Sequence, residues 1–491
     1  MSRPPKLVLT VIDGMKPTML ERAIGAGSAP ALKAIRDRGT YIDSCVAAFP
    51  SVTPVCAGTI ATGVMQDEHR IPSMNWYSRE EQRYVEYGSS FQASRRFGLT
   101  RQLVDTIFNM NAQHLSPDVP TIFETLDDAG VRTACTSYLI FRGRHRHEVS
   151  RDFALTRVAS QLFQKRSVMG PAELFYADVF ASRKTGCWSR MGMPGMRDQH
   201  GGCVGAYLVE HDLCDFLLLS LPDNDAHSHK NGPHAQIASI AAADAELWRV
   251  MEAGGGPAAF LDEHAMIVMA DHSHSHIERV IDFVGPFSDW KVLQPSLANA
   301  ASAELALCPA QRSAMIYLLL ESRATALPRI VATARETEGI DLVMWWGSEE
   351  PRRAHVAGER GELTFAPGDA VADDRGRRWD VDGDLDALLA TVQDGTFVSE
   401  HYPDALRRVW SALSCDTSGD VLLSAEPAYE FPDWGNRAHV RGGSHGSLHR
   451  VDSLGALLFC GIECPPERLE GPWSLADIAP LVLAHFDADY S

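Results

Sequence analysis

Aspartate and histidine residues that could bind a metal ion occur at four separate places in this chain of 491 residues. The densest group, Asp223-Asn-Asp-Ala-His-Ser-His229, contains two Asp/His pairs, Asp223/His227 and Asp225/His229, each with a spacing of four. Residues four apart lie on one side of a helical turn, which is a workable spacing for two ligands of one metal ion. The other three places are Asp13-Gly14, Asp271-His272 and Ser444-His445-Gly446. Taken together, the four clusters favour a binuclear metal site over isolated caps and surface residues.

A threonine in the segment Phe49-Pro-Ser-Val-Thr53-Pro54 is the candidate nucleophile. We expect Thr53 to be the N-cap of a helix with Pro54 as its first residue, because proline favours that position. A hydroxyl at this point faces free backbone N–H groups and the positive end of a helix dipole, a setting that suits a phosphoryl oxygen. Plain capping is the alternative. With metal ligands close by, the sequence favours deprotonation of Thr53 and nucleophilic attack.

Strand and helix patterns alternate around these residues. Apolar strands are predicted at Lys6–Ile12, Phe216–Leu221 and Ala265–Ala270, each followed directly by one of the polar clusters. Further strands are predicted at Val46–Phe49, Val131–Thr136 and Ala456–Phe459, and helices at Ala29–Arg38, Thr121–Ala129, Gln236–Ala253 and Ser474–Phe486, the last with Ser474 as N-cap. Such alternation predicts an α/β fold with a mostly parallel sheet covered by helices. Ligands of such sheets bind beyond the carboxyl ends of the strands, where the clusters lie.

The pattern of predicted elements and the composition change between residues 301 and 434. Strands are predicted at Met315–Leu320 and Ile340–Trp346, a helix at Pro328–Glu338, and then a charged, glycine-rich stretch follows up to Arg378. We interpret residues 301–434 as an inserted α+β cap that helps to select the substrate. Residues 1–300 and 435–491 then form one metallohydrolase core.

The order of the motifs resembles that of the nucleotide pyrophosphatase/phosphodiesterase branch of the alkaline phosphatase superfamily. The resemblance is carried by Asp13-Gly14, by Thr53 with Thr62-Gly63, by Asp225-x-x-x-His229-x-x-Gly232-Pro233, by Asp271-His272 and by Gly443-x-His445-Gly446. It implies an alkaline-phosphatase-like α/β/α sandwich, and its Gly-Pro selects Asp225/His229 over Asp223/His227. It also implies two zinc ions, with manganese or iron as alternatives. One would be held by Asp225, His229 and His445, and the other by Asp13, Thr53, Asp271 and His272.

The resemblance further implies hydrolysis of a small phosphate ester or anhydride through a phosphothreonine intermediate on Thr53. Two enzymatic alternatives use the same site: a phosphomonoesterase and a phosphonoacetate-type carbon–phosphorus hydrolase. A third alternative, from another class, is a catalytically inactive binding protein stabilised by metal. A fourth is that the Asp/His clusters are structural and bind no metal.

Several residues depart from the family pattern or compete with it. The family commonly has an Asn three residues after the nucleophile, where this chain has Cys56, a much weaker hydrogen-bond donor. Arg142 and Arg144 lie in a locally basic stretch that is either a solvated loop or a contact to a remote substrate phosphate. Arg70 replaces a family glycine and is interpreted as a turn residue. His274 and His276 follow Asp271-His272 and are predicted not to bind the metal ions directly.

Composition excludes several classes of protein. With 45 Lys and Arg against 64 Asp and Glu, the net charge is −19, which argues against bulk nucleic-acid binding. No stretch reaches 18 uninterrupted apolar residues, so no membrane span is predicted. The ten cysteines are scattered and contain no Cys-x-x-Cys. This pattern is typical of reduced thiols, and it predicts a cytoplasmic protein.

Overall fold

An eight-stranded sheet forms the centre of the computed structural model, which describes residues 4–149, 167–189, 193, 195–320, 322–464, 466–469 and 471–489. Its spatial order is Thr40–Val46, Leu454–Cys460, His264–Met269, Lys6–Ile12, Phe216–Leu221, Thr133–Thr136, Glu173–Tyr176 and Phe180–Ala181. The middle strands are parallel to one another, whereas Leu454–Cys460 and Phe180–Ala181 run antiparallel to their neighbours. The predicted mostly parallel sheet is thus confirmed.

The register of the three central strands explains where the polar clusters meet. Ile12 lies opposite Leu221, and Val11 lies opposite Met269, so these strands end at the same edge of the sheet. All three strands are buried on both faces, so their sequences are continuous apolar runs and do not alternate between apolar and polar residues. The residues that follow them are therefore brought together beyond the carboxyl edge.

Helices cover both faces of the sheet and complete an α/β/α sandwich. One face packs against Pro17–Gly25, Pro30–Arg38, Arg197–Glu210, Gln236–Ala253 and Pro257–Glu263, and the other against Thr53–Thr62, Ile122–Asp128 and Ile478–His485. The shorter helical elements are Gln66–His69, Phe91–Phe97, Leu99–Val104, the π-helix Asp105–His114, Asp223–Asn231, Arg450–Ser453 and Pro466–Leu469. Ser474 is the N-cap of the one-turn element Leu475–Asp477, whereas the last helix begins at Ile478 with Asp477 as its N-cap, so the predicted helix starts later than expected.

A second, nine-stranded sheet occupies the range predicted as the cap. It runs in the order Leu305–Ala310, Ser313–Leu318, Val421–Ala425, Ile340–Trp346, Ala354–Gly358, Gly361–Ala372, Thr396–Ser399 and Ala390–Gln393, with Arg378–Gly383 paired to Gly361–Ala372. The helices Arg323–Arg335 and Ala405–Ser414 accompany it. Its Cys308, Met315 and Tyr317 belong to the same buried apolar cluster as Leu9 of the central sheet. The second sheet is therefore continuous with the core, and a separate cap domain remains a prediction.

Four strand pairs lie outside these sheets. They join Asn75–Ser78 to Arg83–Glu86, His145–Glu148 to Ser167–Gly170, Ser275–His276 to Gly443–Ser444, and Arg279–Val280 to Tyr429–Glu430. The third pair ties the segment after His264–Met269 to the segment that carries His445.

Two local expectations are wrong. The strand predicted at Val46–Phe49 lies at Thr40–Val46 instead, because its pairing with Leu454–Cys460 ends at Val46. The expectation of ten reduced thiols is also wrong, since Cys187 and Cys203 form a disulfide. Of the free cysteines in the described residues, all are buried except Cys464, which is partly exposed. The cytoplasmic location stays a prediction.

Candidate metal centre

Thr53 is the first residue of a ten-residue helix rather than its cap. The N-cap is Val52, Pro54 follows within the first turn, and the Thr53 hydroxyl makes no capping hydrogen bond. The predicted N-cap position is therefore wrong by one residue. The Thr53 Oγ1 atom lies instead 3.3 Å from Nε2 of His272. Its position at the positive end of the helix still favours a negatively charged oxygen there.

The helix Asp223–Asn231 directs one of its two Asp/His pairs into the cluster. His229 Nε2 lies 3.3 Å from Asp225 Oδ1. Asp223 points elsewhere and accepts a hydrogen bond of 2.9 Å from Nε of Arg197. His227 Nε2 lies 3.1 Å from the carbonyl oxygen of Ala235. The two pairs have the same spacing in the sequence, but the helix turns only Asp225 and His229 towards the other candidate ligands.

The candidate ligands form two groups that share Asp225. Asp225, His229, His274 and His445 offer ligand atoms within 4.8 Å of one another, and so do Asp13, Asp225 and His272. His445 Nε2 lies 3.4 Å from Asp225 Oδ1, and His272 Nε2 lies 3.3 Å from Asp13 Oδ1.

Asp271 completes this arrangement. One of its oxygens accepts the backbone N–H groups of Gly14 and His272, at 3.1 and 3.0 Å. The other lies 3.5 Å from His272 Nε2. The structure thus brings the seven predicted metal ligands together and places the ring of His274 beside them.

Hydrogen bonds at Nδ1 leave Nε2 of three histidine rings free to bind a cation. Nδ1 of His229 lies 2.8 Å from the carbonyl oxygen of Gly443, and Nδ1 of His445 lies 2.8 Å from that of Ser51. Nδ1 of His272 lies 3.1 Å from the carbonyl oxygen of Ser273. A carbonyl only accepts, so each Nδ1 carries the proton and each Nε2 presents a lone pair, the arrangement typical of metal-bound histidine.

Buried acceptor atoms without donors show that these residues fit metal ions. Within the described part of the chain, Asp13 Oδ1, Asp271 Oδ2 and His445 Nε2 have no hydrogen-bond partner. Buried polar atoms are normally paired, and lone pairs that converge without a donor repel one another. A divalent cation resolves this repulsion, and mixed Asp/His donors suit zinc.

Burial and the close approach of charged groups shift pKa values in this cluster. Burial, the Asp271 carboxylate and the Asp225 carboxylate raise the pKa of Asp13 well above its usual range. Burial lowers the pKa of His445, which favours the neutral, metal-binding form of its ring.

A cavity of about 420 Å³ opens beside the two ligand groups. Asp13, Thr53, Asp225 and Asp271 lie in its wall. Among the described residues, the rest of the lining is mainly apolar and aromatic, with one basic residue: Val11, Met74, Gly88, Leu103, Thr106, Ile107, Ser137, Tyr138, Leu139, Val149, Tyr176, Ala177, Val179, Ser189, Arg197, Ser220 and Pro222. Sequence reasoning missed Arg197 and the apolar wall because these residues come from distant segments and form no short motif.

The three residues predicted to bind substrate do not line this cavity. Cys56 is fully buried, and burial raises the pKa of its thiol well above the usual value. Arg142 donates to Glu124 at 3.0 Å and to the carbonyl oxygen of Ser116 at 2.8 Å. Arg144 pairs with Asp128 at 2.7 Å. These contacts anchor a loop. Arg144 is about half exposed, as the solvated-loop alternative predicts, whereas the Arg142 side chain is only 13% exposed. Arg70 is a turn residue with φ of 69°, as interpreted from the sequence.

The mostly parallel sheet, with this Asp, His and Thr cluster at its carboxyl edge, is the architecture of the alkaline phosphatase superfamily. Residues 7–448 match the model of the type I phosphodiesterase/nucleotide pyrophosphatase family, and the chain belongs to this family. It is therefore a phosphodiesterase-like hydrolase of phosphoric esters. The family uses two divalent metal ions and acts on small nucleotide or phosphate substrates.

Solved structures with the same fold come from mouse and human. Murine ectonucleotide pyrophosphatase/phosphodiesterase 5, in an inactive form in complex with AMP, has a TM-score of 0.58 and 12% identity, covering 99% of this chain and 96% of that chain. The human protein of the same name has a TM-score of 0.56 and 12% identity, with coverages of 99% and 96%. At this identity the likeness shows the fold. No curated protein sequence matches significantly. No helix in the described ranges is both long enough and apolar enough to cross a membrane.

Proposed function

We propose that this protein is a two-metal phosphodiesterase that acts through a phosphothreonine intermediate on Thr53. The observation that carries the proposal is the position of the Thr53 hydroxyl. It lies at a helix N-terminus, 3.3 Å from His272 Nε2, and makes no capping bond that would explain it otherwise. The same hydroxyl lines the cavity beside both ligand groups.

Each half of the reaction uses Thr53. In the first, its oxygen forms a bond to phosphorus while the bond from phosphorus to the leaving oxygen breaks. The leaving oxygen takes the proton that Thr53 gives up. In the second, water attacks phosphorus, the bond to Thr53 breaks, and one proton of that water restores the Thr53 hydroxyl. Divalent ions held by Asp225, His229 and His445 and by Asp13, Thr53, Asp271 and His272 would stabilise charge on the reacting oxygens and lower the pKa of the attacking group. Zinc suits this donor set best.

The cavity supports a small phosphate diester with an apolar or aromatic substituent as substrate. Its wall is mostly apolar, and its basic lining residue, Arg197, is already paired with Asp223 at 2.9 Å. A phosphomonoester carries a second negative charge, and the lining residues that the structure describes offer it no further basic side chain. The arrangement therefore favours a diester over a monoester.

Replacement of Thr53 tests the proposal directly. Thr53→Ala should lower kcat for bis-nitrophenyl phosphate by at least about a thousandfold, because the nucleophile is lost while the other ligands remain. Thr53→Ser should keep part of the activity, since it retains the hydroxyl. In acid-quenched wild-type turnover, mass spectrometry should place the phosphoryl group on Thr53. Zinc content should be measured for every variant.

Thr59→Ser is the matched control, because the Thr59 hydroxyl bonds to the carbonyl oxygen of Val55 within the same helix and does not line the cavity. It should turn over substrate like wild type. Unchanged turnover by Thr53→Ala would overturn the nucleophile assignment. Turnover at background in both wild type and Thr53→Ala would favour a non-catalytic binding protein. Faster turnover of nitrophenyl phosphate or phosphonoacetate than of the diester would overturn the substrate class alone.

A further inference from the structure

We propose that His274 is a positioning residue of the metal centre. Its Nε2–H donates a hydrogen bond to Asp225 and fixes that carboxylate, and it does not bind a metal ion itself. The inference rests on the proposed two-metal site. It assigns a role to the fourth histidine of the cluster, which stands in Asp271-His272-Ser273-His274.

Distance sets His274 apart from the other rings around Asp225. Its Nε2 lies 2.9 Å from Asp225 Oδ1, a normal length for an N–H···O hydrogen bond. Nε2 of His229 and of His445 lie 3.3 and 3.4 Å from the same oxygen. The shorter contact is expected for a donor, and the longer contacts are expected for two lone pairs that face an acceptor.

The opposite ring atom supports the same assignment. Nδ1 of His229, His272 and His445 each donates to a backbone carbonyl oxygen, which leaves Nε2 unprotonated. Nδ1 of His274 is buried and has no hydrogen-bond partner in the described ranges. Binding of a metal ion at Nε2 would place the proton on that Nδ1 and leave a buried N–H without an acceptor, which is costly. A proton on Nε2 avoids that cost and pairs with Asp225.

The absence of a side chain at two glycines leaves room for the His274 ring in this orientation. A Cβ atom at Gly14 would come within 2.6 Å of His274 Nε2, and one at Gly443 would come within 3.2 Å of His274 Nδ1. The His274 ring therefore packs between the backbone at Gly14 and the backbone at Gly443. Lys16 Nζ donates to the carbonyl oxygen of His274 at 3.1 Å and fixes the backbone as well.

The carboxylate that His274 fixes belongs to both ligand groups. Partners that orient a metal ligand typically change metal affinity about 10- to 100-fold when they are removed. His274→Leu should therefore weaken zinc binding by about that factor. His274→Gln should restore most of the affinity, because its amide N–H can take the place of the Nε2–H.

The experiment is a competitive zinc titration of the full chain, with cobalt substitution to count the nitrogen ligands by X-ray absorption. His276→Leu is the matched control, because His276 lies two residues on and is exposed, and it should bind zinc like wild type. The expected result has three parts: weaker zinc binding in His274→Leu, rescue in His274→Gln, and the same number of imidazole ligands in wild type and His274→Gln.

Three outcomes separate the alternatives. Equal zinc affinity in His274→Leu and wild type overturns the positioning role. Loss of an imidazole ligand in His274→Gln overturns it too, because His274 would then be a metal ligand. Absence of bound metal in wild type overturns the proposed function itself. If His274→Leu fails to fold, the comparison of wild type with His274→Gln still decides between donor and ligand through the imidazole count.

Discussion

At the scale of single residues, the repulsion between three neighbouring carboxylates decides how stable the metal-free protein is. Asp271 and Asp225 both lie close enough to Asp13 to raise its pKa, and Asp13 and Asp271 each have an oxygen without a donor in the described residues. The raised pKa of Asp13 means that folding favours its protonated form. Stability linked to this group is present at low pH and is lost as pH rises from the unfolded pKa through the raised folded pKa.

Asp13→Asn should therefore stabilise the protein in chelator at pH 8 and remove its stabilisation by zinc. Each unit by which the Asp13 pKa is raised corresponds to about 1.4 kcal/mol, so a gain of about 1 kcal/mol or more is expected. The measurement is chemical denaturation with and without zinc, at pH 8 and at pH 4, where the gain should shrink.

Asp369→Asn is the control for that substitution, because the Asp369 side chain is 97% exposed. It should leave the free energy of unfolding within about 0.5 kcal/mol of wild type. A metal-free Asp13→Asn protein that is less stable than wild type at pH 8 would contradict the argument from repulsion.

The sequence led to the candidate metal ligands mainly because Asp13, Asp225 and Asp271 come shortly after apolar strands, and their assignment as ligands remains a prediction. The Asp225/His229 pair came from the family motif, since spacing alone left Asp223/His227 open. Arg197 and the apolar cavity wall could not be predicted, because their proximity depends on packing between distant segments. Arg142 and Arg144 do not line the cavity, because nearby acidic residues such as Glu124 and Asp128 accept hydrogen bonds from their guanidinium groups.

At the scale of elements, the approach of one backbone segment to the helix Asp223–Asn231 fixes the ligand geometry. A Cβ atom at Gly442 would come within 2.0 Å of the carbonyl oxygen of His229. The residues after Gly442 carry His445, so this contact sets the distance between the helix and the third ligand of its group.

Gly442→Ala should push the backbone at residue 442 away from the helix Asp223–Asn231. We expect a loss of about 1–3 kcal/mol in the free energy of unfolding, as for other overpacked sites, together with weaker zinc binding. Thermal denaturation and zinc titration measure the two effects. Gly25→Ala is the matched control, because a Cβ atom there meets nothing within 4 Å. Zinc affinity equal to wild type in Gly442→Ala would show that the close approach does not set the ligand geometry.

Element boundaries were predicted best where local signals are strong. Phe216–Leu221 and Gln236–Ala253 match their predicted bounds, because a buried apolar run and an alanine-rich helix need little tertiary context. The strand at Thr40–Val46 was misplaced, because its position depends on pairing with Leu454–Cys460, more than 400 residues later.

At the scale of the whole molecule, a buried ion pair joins the second sheet to the core. Arg312 and Asp452 are both fully buried and form a salt bridge. Arg312 follows the first strand of the second sheet, and its backbone N–H donates to the carbonyl oxygen of His445 at 2.9 Å. The second sheet thereby contacts the backbone of a candidate metal ligand, which a loosely attached cap would not do.

Arg312→Met should destabilise the whole protein by about 3–5 kcal/mol, because it leaves the Asp452 carboxylate buried without its partner. Urea denaturation gives this difference. The double variant Arg312→Met/Asp452→Leu should recover part of the loss. As a surface control, Arg146→Met breaks a pair in which both side chains are 67% exposed, and it should change little. Equal stability of Arg312→Met and wild type would argue that the pair does not hold the sheet to the core.

Asp225 lies close to both ligand groups, so in the proposed centre the binding of one ion would be thermodynamically coupled to the binding of the other. The first ion would reduce the negative charge that the second would meet. Coupling of this kind is reciprocal, so each ion changes the affinity for the other by the same factor. Two independent dissociation constants would therefore not describe occupancy of the proposed centre, and depletion of either ion would alter retention of its neighbour.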